Sequence, residues 1–259
     1  MRIFLVIDET RFYHPDFVAE FLRKTDCEVV GAALVQKVHP KNDLQKYIIR
    51  NWYRLRLKEM FVLGVRKVWY AVKDRFQDPT TSGSFYSVAS VFKHFEINWF
   101  PVSYTINQAE HLSAIAALKP DVIISSNPLY FGKRLLKIPK IACINRHSAL
   151  LPKYGGVWPV FQAVRSGEKF TGVAVHTMVP KIDRGVVLAQ AAIPIQEGDS
   201  LSHLYKQCFA ASAEVLLAAL EKIKANDYSP ANESDEVSYF TFPTAEQWKE
   251  FRARGGTFV

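Results

Sequence analysis

The sequence predicts an α/β protein built on an open, mainly parallel sheet with helices on both faces. Two observations carry this expectation. Short apolar runs of strand length alternate with longer stretches of helical period along most of the chain. The composition, 49% hydrophobic and 22% charged over 259 residues, supports one large core and excludes a disordered or collagen-like chain.

The elements follow in order. Residues 2–7 are an apolar run of strand length. Pro15 then sits where the first turn of a helix tolerates proline, with Phe17, Val18, Phe21 and Leu22 as the apolar face. Residues 28–35 read as the second strand. Beyond a basic segment, the pattern predicts a helix over 83–94, a strand over 97–102, a helix near 108–118 and a strand over 121–126. A short helix near 132–136, a strand over 140–145 and a helix over 157–165 come next. Two β-branched runs, 172–178 and 186–195, precede a long helix that Asp199 or Ser200 can cap and that reaches about Lys224. From Asn226 the chain is polar, with Pro230 and the acids Asp227, Glu233, Asp235 and Glu236, so residues 226–259 are expected to be an irregular arm that wraps a main domain of residues 1–225. Within the arm, Thr244 caps a short amphipathic helix that Gly255 and Gly256 stop.

The three cysteines, Cys27, Cys143 and Cys208, are widely spaced and form no CxxC pair, so neither a structural zinc site nor a disulfide framework is expected. A reducing, cytoplasmic compartment is the natural expectation. The opening apolar run is too short for a signal peptide. The longest membrane-span candidate, 209–220, is broken by Glu214 and falls short of the ~20 apolar residues a bilayer needs.

The net charge of +8 is concentrated. Residues 41–76 hold ten Lys and Arg against three acids. Within them Lys46, Arg50, Arg54 and Lys58 recur every four residues, beside an apolar series of Leu44, Ile48, Trp52 and Leu55. One helix with a basic and an apolar stripe is expected. It could contact substrate phosphates, RNA or an anionic membrane surface, or be a solvated face over the core.

The informative stretch is KIACINRHSALLPKYGG, residues 140–156. It begins as a buried strand and ends in a polar turn, so Asn145 and His147 emerge at a strand's carboxyl end, pointing to the same side. An amide N–H beside an imidazole suits acyl transfer, because one can stabilise charge on a carbonyl oxygen while the other exchanges a proton near neutral pH. Spacing alone equally allows a turn asparagine and a surface or core histidine. His147, His176 and Asp183 could in principle form a metal-binding trio.

INRHSALLPKYGG, followed by SGEKFTGVAVHTM and KIDRGVVLAQ, closely resembles the signature of the folate-dependent formyltransferase family. The similarity is clear from about 121 to 195 and weak before it. The resemblance implies a Rossmann-like formyltransferase domain over 1–225 that transfers a formyl group from 10-formyltetrahydrofolate to an amine, with no metal. Carried over by position, Asn145 would polarise the formyl carbonyl and stabilise the tetrahedral oxyanion. His147 would assist it or act as base, and Asp183 would hold a water or the imidazole and relay the amine's proton. The folate pterin would lie between Leu129, Tyr130 and Phe131 on one side and Val179, Pro180 and Ile182 on the other. His176 would line the site or serve the core. Relative to the compact family pattern, the basic segment at about 41–76 is an insertion.

The branches of the family differ around the shared site. The purine-pathway branch has a glycine-rich phosphate loop after its first strand, where this chain reads DETRFYHPDF. The initiator-tRNA branch carries a C-terminal β-barrel, for which the polar tail is expected to be too short, though the basic segment keeps it as the alternative. The hydrolytic branch places a regulatory domain before the first strand. The expected acceptor is therefore a nucleotide-linked aminosugar of surface polysaccharide (O-antigen, lipopolysaccharide) biosynthesis, with no nucleic-acid partner. Arg11, Lys153 and Arg184 are the expected partners of its diphosphate, and Tyr13, Tyr154 or Trp158 would pack on sugar or base, although Trp158 equally suits a core. A non-catalytic nucleotide-binding scaffold is the third reading, and the basic insertion and aromatic tail would suit a homodimer.

Overall fold

The computed structural model of the chain describes residues 1–39, 44–77, 83–232 and 236–259. The order is β1 (Arg2–Asp8), α1 (His14–Lys24), β2 (Glu28–Lys37), α2 (Leu44–Arg50), a 3-10 turn (Trp52–Arg54), α3 (Leu57–Phe76), α4 (Val88–His94), β3 (Trp99–Ser103), α5 (Ala109–Ala117) and β4 (Val122–Ser126). Then come α6 (Lys133–Leu136), β5 (Ala142–His147), β6 (Gly155–Gly156), α7 (Pro159–Ser166), β7 (Phe170–Thr177), β8 (Val187–Pro194), α8 (Leu201–Lys224), β9 (Tyr239–Phe240) and α9 (Ala245–Ala253).

A central parallel strand covered on both sides must be apolar at nearly every position, and β1 is. Ile3, Leu5 and Ile7 enter one core with α1, α4 and α8, while Phe4 and Val6 enter a second with α5 and α6. The seven strands run β3-β2-β1-β4-β5-β7-β8. Pairing is parallel from β3 to β5, then antiparallel at β5–β7 and β7–β8. This is the mainly parallel, doubly covered sheet that the sequence predicts. Among the described residues, no helix is long and apolar enough to cross a membrane.

Two expected helices are corrected. The helix over 83–94 begins only at Val88, because the Glu9 carboxylate accepts the N–H groups of Val88 and Ala89 at 3.0 Å and Ser87 caps Ser90. These contacts fix the first turn there, and Gly83, with φ of 65°, lies before it. The single striped helix around 44–58 is broken. Asn51 leaves helical geometry and its amide caps the Tyr47 carbonyl at 3.0 Å, and Leu55 and Arg56 are extended. Glu59 drives the restart of the helix at α3: its carboxylate accepts the Arg56 N–H at 2.8 Å, the Phe258 N–H at 2.8 Å and the Arg252 guanidinium at 2.5 Å. Burial would raise the Glu59 carboxyl, but Arg252 and the two N–H groups outweigh it and hold it below the usual carboxylate range.

A strand and a helix are among the anchors of the 226–259 arm. β9 adds to β6, pairing Gly155 with Tyr239 and Gly156 with Phe240. Only glycine serves at 156, where φ is 91° and a Cβ would lie 2.0 Å from the Phe240 carbonyl oxygen. α9, capped by Thr244 as its sequence predicts and with Gln247 completing the capping box, packs Trp248 and Phe251 with Phe258 onto Trp158, Phe161 and Leu204. The Phe161 and Phe251 rings stack at 4.5 Å. Replacing Phe251 with alanine is expected to lower stability by about 3–5 kcal/mol, read as the shift in urea midpoint.

Candidate active site

The site grows from the carboxyl end of β5. In the parallel register Asn145 lies beside Ser125 of β4, and in the antiparallel register it lies opposite His176 of β7. The Asn145 amide Nδ2 and His176 Nε2 are 3.3 Å apart. His176 is buried, and its Nδ1–H donates to the Thr177 carbonyl at 2.9 Å. That bond leaves Nε2 of the neutral ring as the acceptor of the Asn145 N–H. Asp183 Oδ1 lies 3.5 Å from the same Nε2, so the protonated ring would donate to the carboxylate instead.

Asp183 sits in the turn between β7 and β8 with a positive φ of 52°. Its Oδ2 accepts the Gly156 N–H at 2.7 Å, which joins this turn to β6. Gly185 makes the turn feasible, because a Cβ there would lie 1.6 Å from the Thr177 carbonyl oxygen. His147 donates Nε2–H to the Tyr154 carbonyl at 3.0 Å, leaving a lone pair on Nδ1. The loop after β5 thus returns to orient the very histidine that precedes it.

Electrostatics follow from burial. Desolvation pushes the His147 imidazole below the ordinary histidine range despite the attraction of Asp183 and the Tyr154 hydrogen bond. Burial would raise the Asp183 carboxyl, but His147, His176 and the Gly156 N–H together outweigh it and hold it far below the carboxylate range. Near neutral pH the pair is therefore a neutral imidazole and an ionised carboxylate. Arg146, between the two site residues, projects to the opposite core, where its guanidinium lies 3.7 Å from the Phe209 ring centroid and Nε donates to Ser212. Burial pushes Arg146 down to about 10. Among the described residues, no group of three or more His, Cys, Asp or Glu could hold a metal ion.

Asn145, His147 and Asp183 are thus brought together, and His176 proves to be the hub that joins two of them. The sequence signals for it are its place in a β-branched strand and the family resemblance, which leaves a site role and a core role equally open. The 127–131 turn is built by two asparagines. Asn127 Oδ1 accepts the Leu129 N–H, and Asn107 bridges the Tyr130 carbonyl and the Gly132 N–H at 2.8 and 2.7 Å. Asn107 had no signal beyond following a strand. Tyr130, Val179, Pro180 and Ile182 are exposed, whereas the Phe131 side chain is buried in the core, so only its backbone can face a ring. Leu129 and Met178, which flank or belong to the two expected folate segments, both pack against the same core cluster.

The expected substrate residues are largely engaged within the protein. Tyr13 bonds Ser202 and stacks on Phe209. Lys153 pairs with Glu236 and Glu168, and Tyr154 donates to Glu168 at 2.7 Å. Lys153, Tyr154, both acids, Ser238 and Phe240 line a hollow of about 360 Å³. Trp158 is a core residue, buried against Tyr47, Phe161, Trp248 and Phe258. Arg11 lies 3.8 Å from Asp74, and Arg184 is half-buried beside Asp183.

The architecture is that of known formyltransferases. A sugar N-formyltransferase from Shewanella sp FDAARGOS_354 superposes with a TM-score of 0.57 and 13% identity over 98% of this chain and 87% of that one. Phosphoribosylglycinamide formyltransferase from Bacillus halodurans gives 0.56 and 18% over 86% and 95%. Likeness at these identities is one of fold. The sequence profile of the formyl transferase family matches residues 64–220, and the chain belongs to that family. It is 39% identical over 146 residues to the bifunctional polymyxin resistance protein ArnA of Wigglesworthia glossinidia brevipalpis, covering 54% of this chain and 22% of that protein. It is 34% identical over 137 residues to methionyl-tRNA formyltransferase of Enterococcus faecalis, covering 52% and 44%. The chain spans less than half the length of these curated relatives.

Both depressed groups bind protons less readily when folded, so each contributes stability that is present above its unfolded value and lost as pH falls. For His147 the loss begins below about pH 6.5, and for Asp183 below about pH 4. Urea midpoints measured across this range should fall with pH, and Asp183→Asn should flatten the acidic part of the profile. An unchanged acidic slope in that variant would show that Asp183 is not held ionised by the fold.

Proposed function

We propose that the chain is an N-formyltransferase that moves a formyl group from 10-formyltetrahydrofolate to the amino group of a nucleotide-linked aminosugar. The observation that carries the chemistry is the contact chain from Asn145 through His176 to Asp183, with His147 beside it at the end of β5. The donor fits the residues present. Val179 and Ile182 are exposed and apolar, and the backbone of the 127–131 turn is shaped by Asn107 and Asn127, which together offer the apolar surface and fixed polar groups that a flat ring with polar edges needs. When bound, the folate supplies an already activated formyl carbon, so no enzyme nucleophile is required.

Asn145 spends one amide N–H on His176 and offers the other to the carbonyl oxygen as negative charge develops there. A primary amine attacks only when unprotonated. Neutral His147, with its lone pair on Nδ1, takes the proton that the amine sheds as its new C–N bond forms, and returns it to the departing nitrogen. Asp183, kept ionised, steadies the imidazole while it carries that proton.

The aminosugar assignment is supported by the Shewanella likeness and by a second fold likeness. The structure of WlaRD, a sugar 3N-formyl transferase, in the presence of dTDP and 5-N-formyl-THF superposes with a TM-score of 0.54 and 13% identity over 93% of this chain and 70% of that one. The purine-pathway acceptor is disfavoured because the loop after β1, DETRFYHPDF, holds no glycine with which backbone N–H groups could close on a phosphate. Arg11 and Arg184 are the cations offered to a sugar diphosphate. Such an enzyme would serve surface polysaccharide synthesis from the cytoplasm. Initiator tRNA is the second reading, favoured by the sequence match to methionyl-tRNA formyltransferase.

The test is transfer from 10-formyltetrahydrofolate to a panel of nucleotide-linked aminosugars, with charged initiator tRNA and glycinamide ribonucleotide alongside, read by mass spectrometry. A formylated sugar nucleotide is expected, and formylation of tRNA alone transfers the assignment to the second reading. His147→Ala and Asp183→Asn should each slow transfer by about 10²–10⁴-fold with an unchanged circular dichroism spectrum. Full activity in both variants would reject the mechanism.

A further inference from the structure

α3 is inverted relative to an ordinary surface helix. Three of its polar side chains face the domain: Glu59 joins Arg252, Arg66 donates to Ser202 at 2.7 Å, and Asp74 approaches Arg11. Its outward side carries Leu57, Phe61, Val65, Val68, Val72 and Phe76, at spacings of four, four, three, four and four residues, which is one helical face. Each is between 49% and 84% exposed. The helix has 20 residues, so the ridge runs about 30 Å. An apolar stripe of this extent on an otherwise polar surface marks a docking site.

The charge around the ridge identifies its occupant. The stretch 44–77 holds nine Lys and Arg against two acids, and both acids, Glu59 and Asp74, are the ones turned inward. Lys58, Lys67 and Arg75 are exposed on α3 itself. A second copy is a poor match. Antiparallel pairing centred on the ridge sets Lys58 against Arg75, and parallel pairing sets each against itself, so both arrangements bring like charges together without an acid between them. No polar residue interrupts the six positions to fix the register of a protein partner. A lipid surface needs no register, only an apolar ridge with aromatic residues among cations.

We propose that the outward face of α3 docks this protein on an anionic membrane, the helix lying in the interfacial plane with its apolar ridge among the acyl chains and Lys58, Lys67 and Arg75 among the headgroups. The preceding α2 and 3-10 turn add exposed Ile49, Trp52 and Tyr53. The protein is then held at the surface through α3, no helix among the described residues being long and apolar enough to cross it.

Flotation of the full chain with vesicles tests this independently of any formyl transfer. Vesicles of phosphatidylcholine containing about 30% phosphatidylglycerol should carry the protein upward, and pure phosphatidylcholine should carry about tenfold less. Phe61→Ser with Val68→Ser, and separately Lys58→Glu with Arg75→Glu, should each reduce binding about tenfold or more. These positions are exposed, so circular dichroism should remain that of the parent. Absence of flotation with the anionic vesicles, or flotation equal in parent and variants, overturns the proposal. So does a dimer in vesicle-free buffer that Phe61→Ser with Val68→Ser dissolves, which gives the ridge to a second copy.

Discussion

The site depends on the register between β5 and β7. β5 is the strand at which the sheet changes sense, parallel to β4 on one side and antiparallel to β7 on the other. That change sets Asn145 directly opposite His176. Because side chains alternate along a strand, a slip by one residue would exchange Asn145 and His147 for Arg146 on the site face. The slip is resisted by both cores at once, since Ile144 is buried in one and Cys143 in the other. The strand that presents the chemistry is thus fixed by its apolar neighbours.

Around that strand, backbone groups do much of the positioning. The Tyr154 carbonyl orients His147, the Thr177 carbonyl orients His176 and the Gly156 N–H holds Asp183. The Gly156–Asp183 contact also ties one loop to another, and the Tyr154–His147 contact ties the loop after β5 back to its strand, so loop conformation and ionisation are coupled. Tyr154 itself has a positive φ of 60° and Asp183 one of 52°. Such conformations cost free energy and persist where surrounding contacts fix them. Here the contacts that fix them are those that set the charges.

The order of strands and helices was legible wherever a single periodicity ran unbroken, as in β1, α1 and α8. It failed where a distant partner set the boundary. Glu9 delays the start of α4, and Glu59 with Arg252 divides the basic stretch into α2, a 3-10 turn and α3; no local pattern contains those partners. β6 and β9 are two residues each, too short to show a period. At the site, Asn145, His147 and Asp183 stood in matched motif pieces. His176 could not be separated from a core histidine until its two ring nitrogens had neighbours. For Tyr13, Lys153 and Tyr154 the sequence shows each side chain's chemistry but not the partners, Ser202, Glu236 and Glu168, that engage them in the fold.

Glu59 has a consequence for how the chain acquires its structure. Its carboxylate waits on Arg252 and Phe258, 193 and 199 residues further along. During synthesis from the N-terminus, α3 therefore lacks these partners while the whole sheet is being made. Closure of so long a loop is slow compared with local pairing. The inward side of α3 is thus seated late, once residues 252–258 have been made, whereas its outward ridge is exposed both before and after that step.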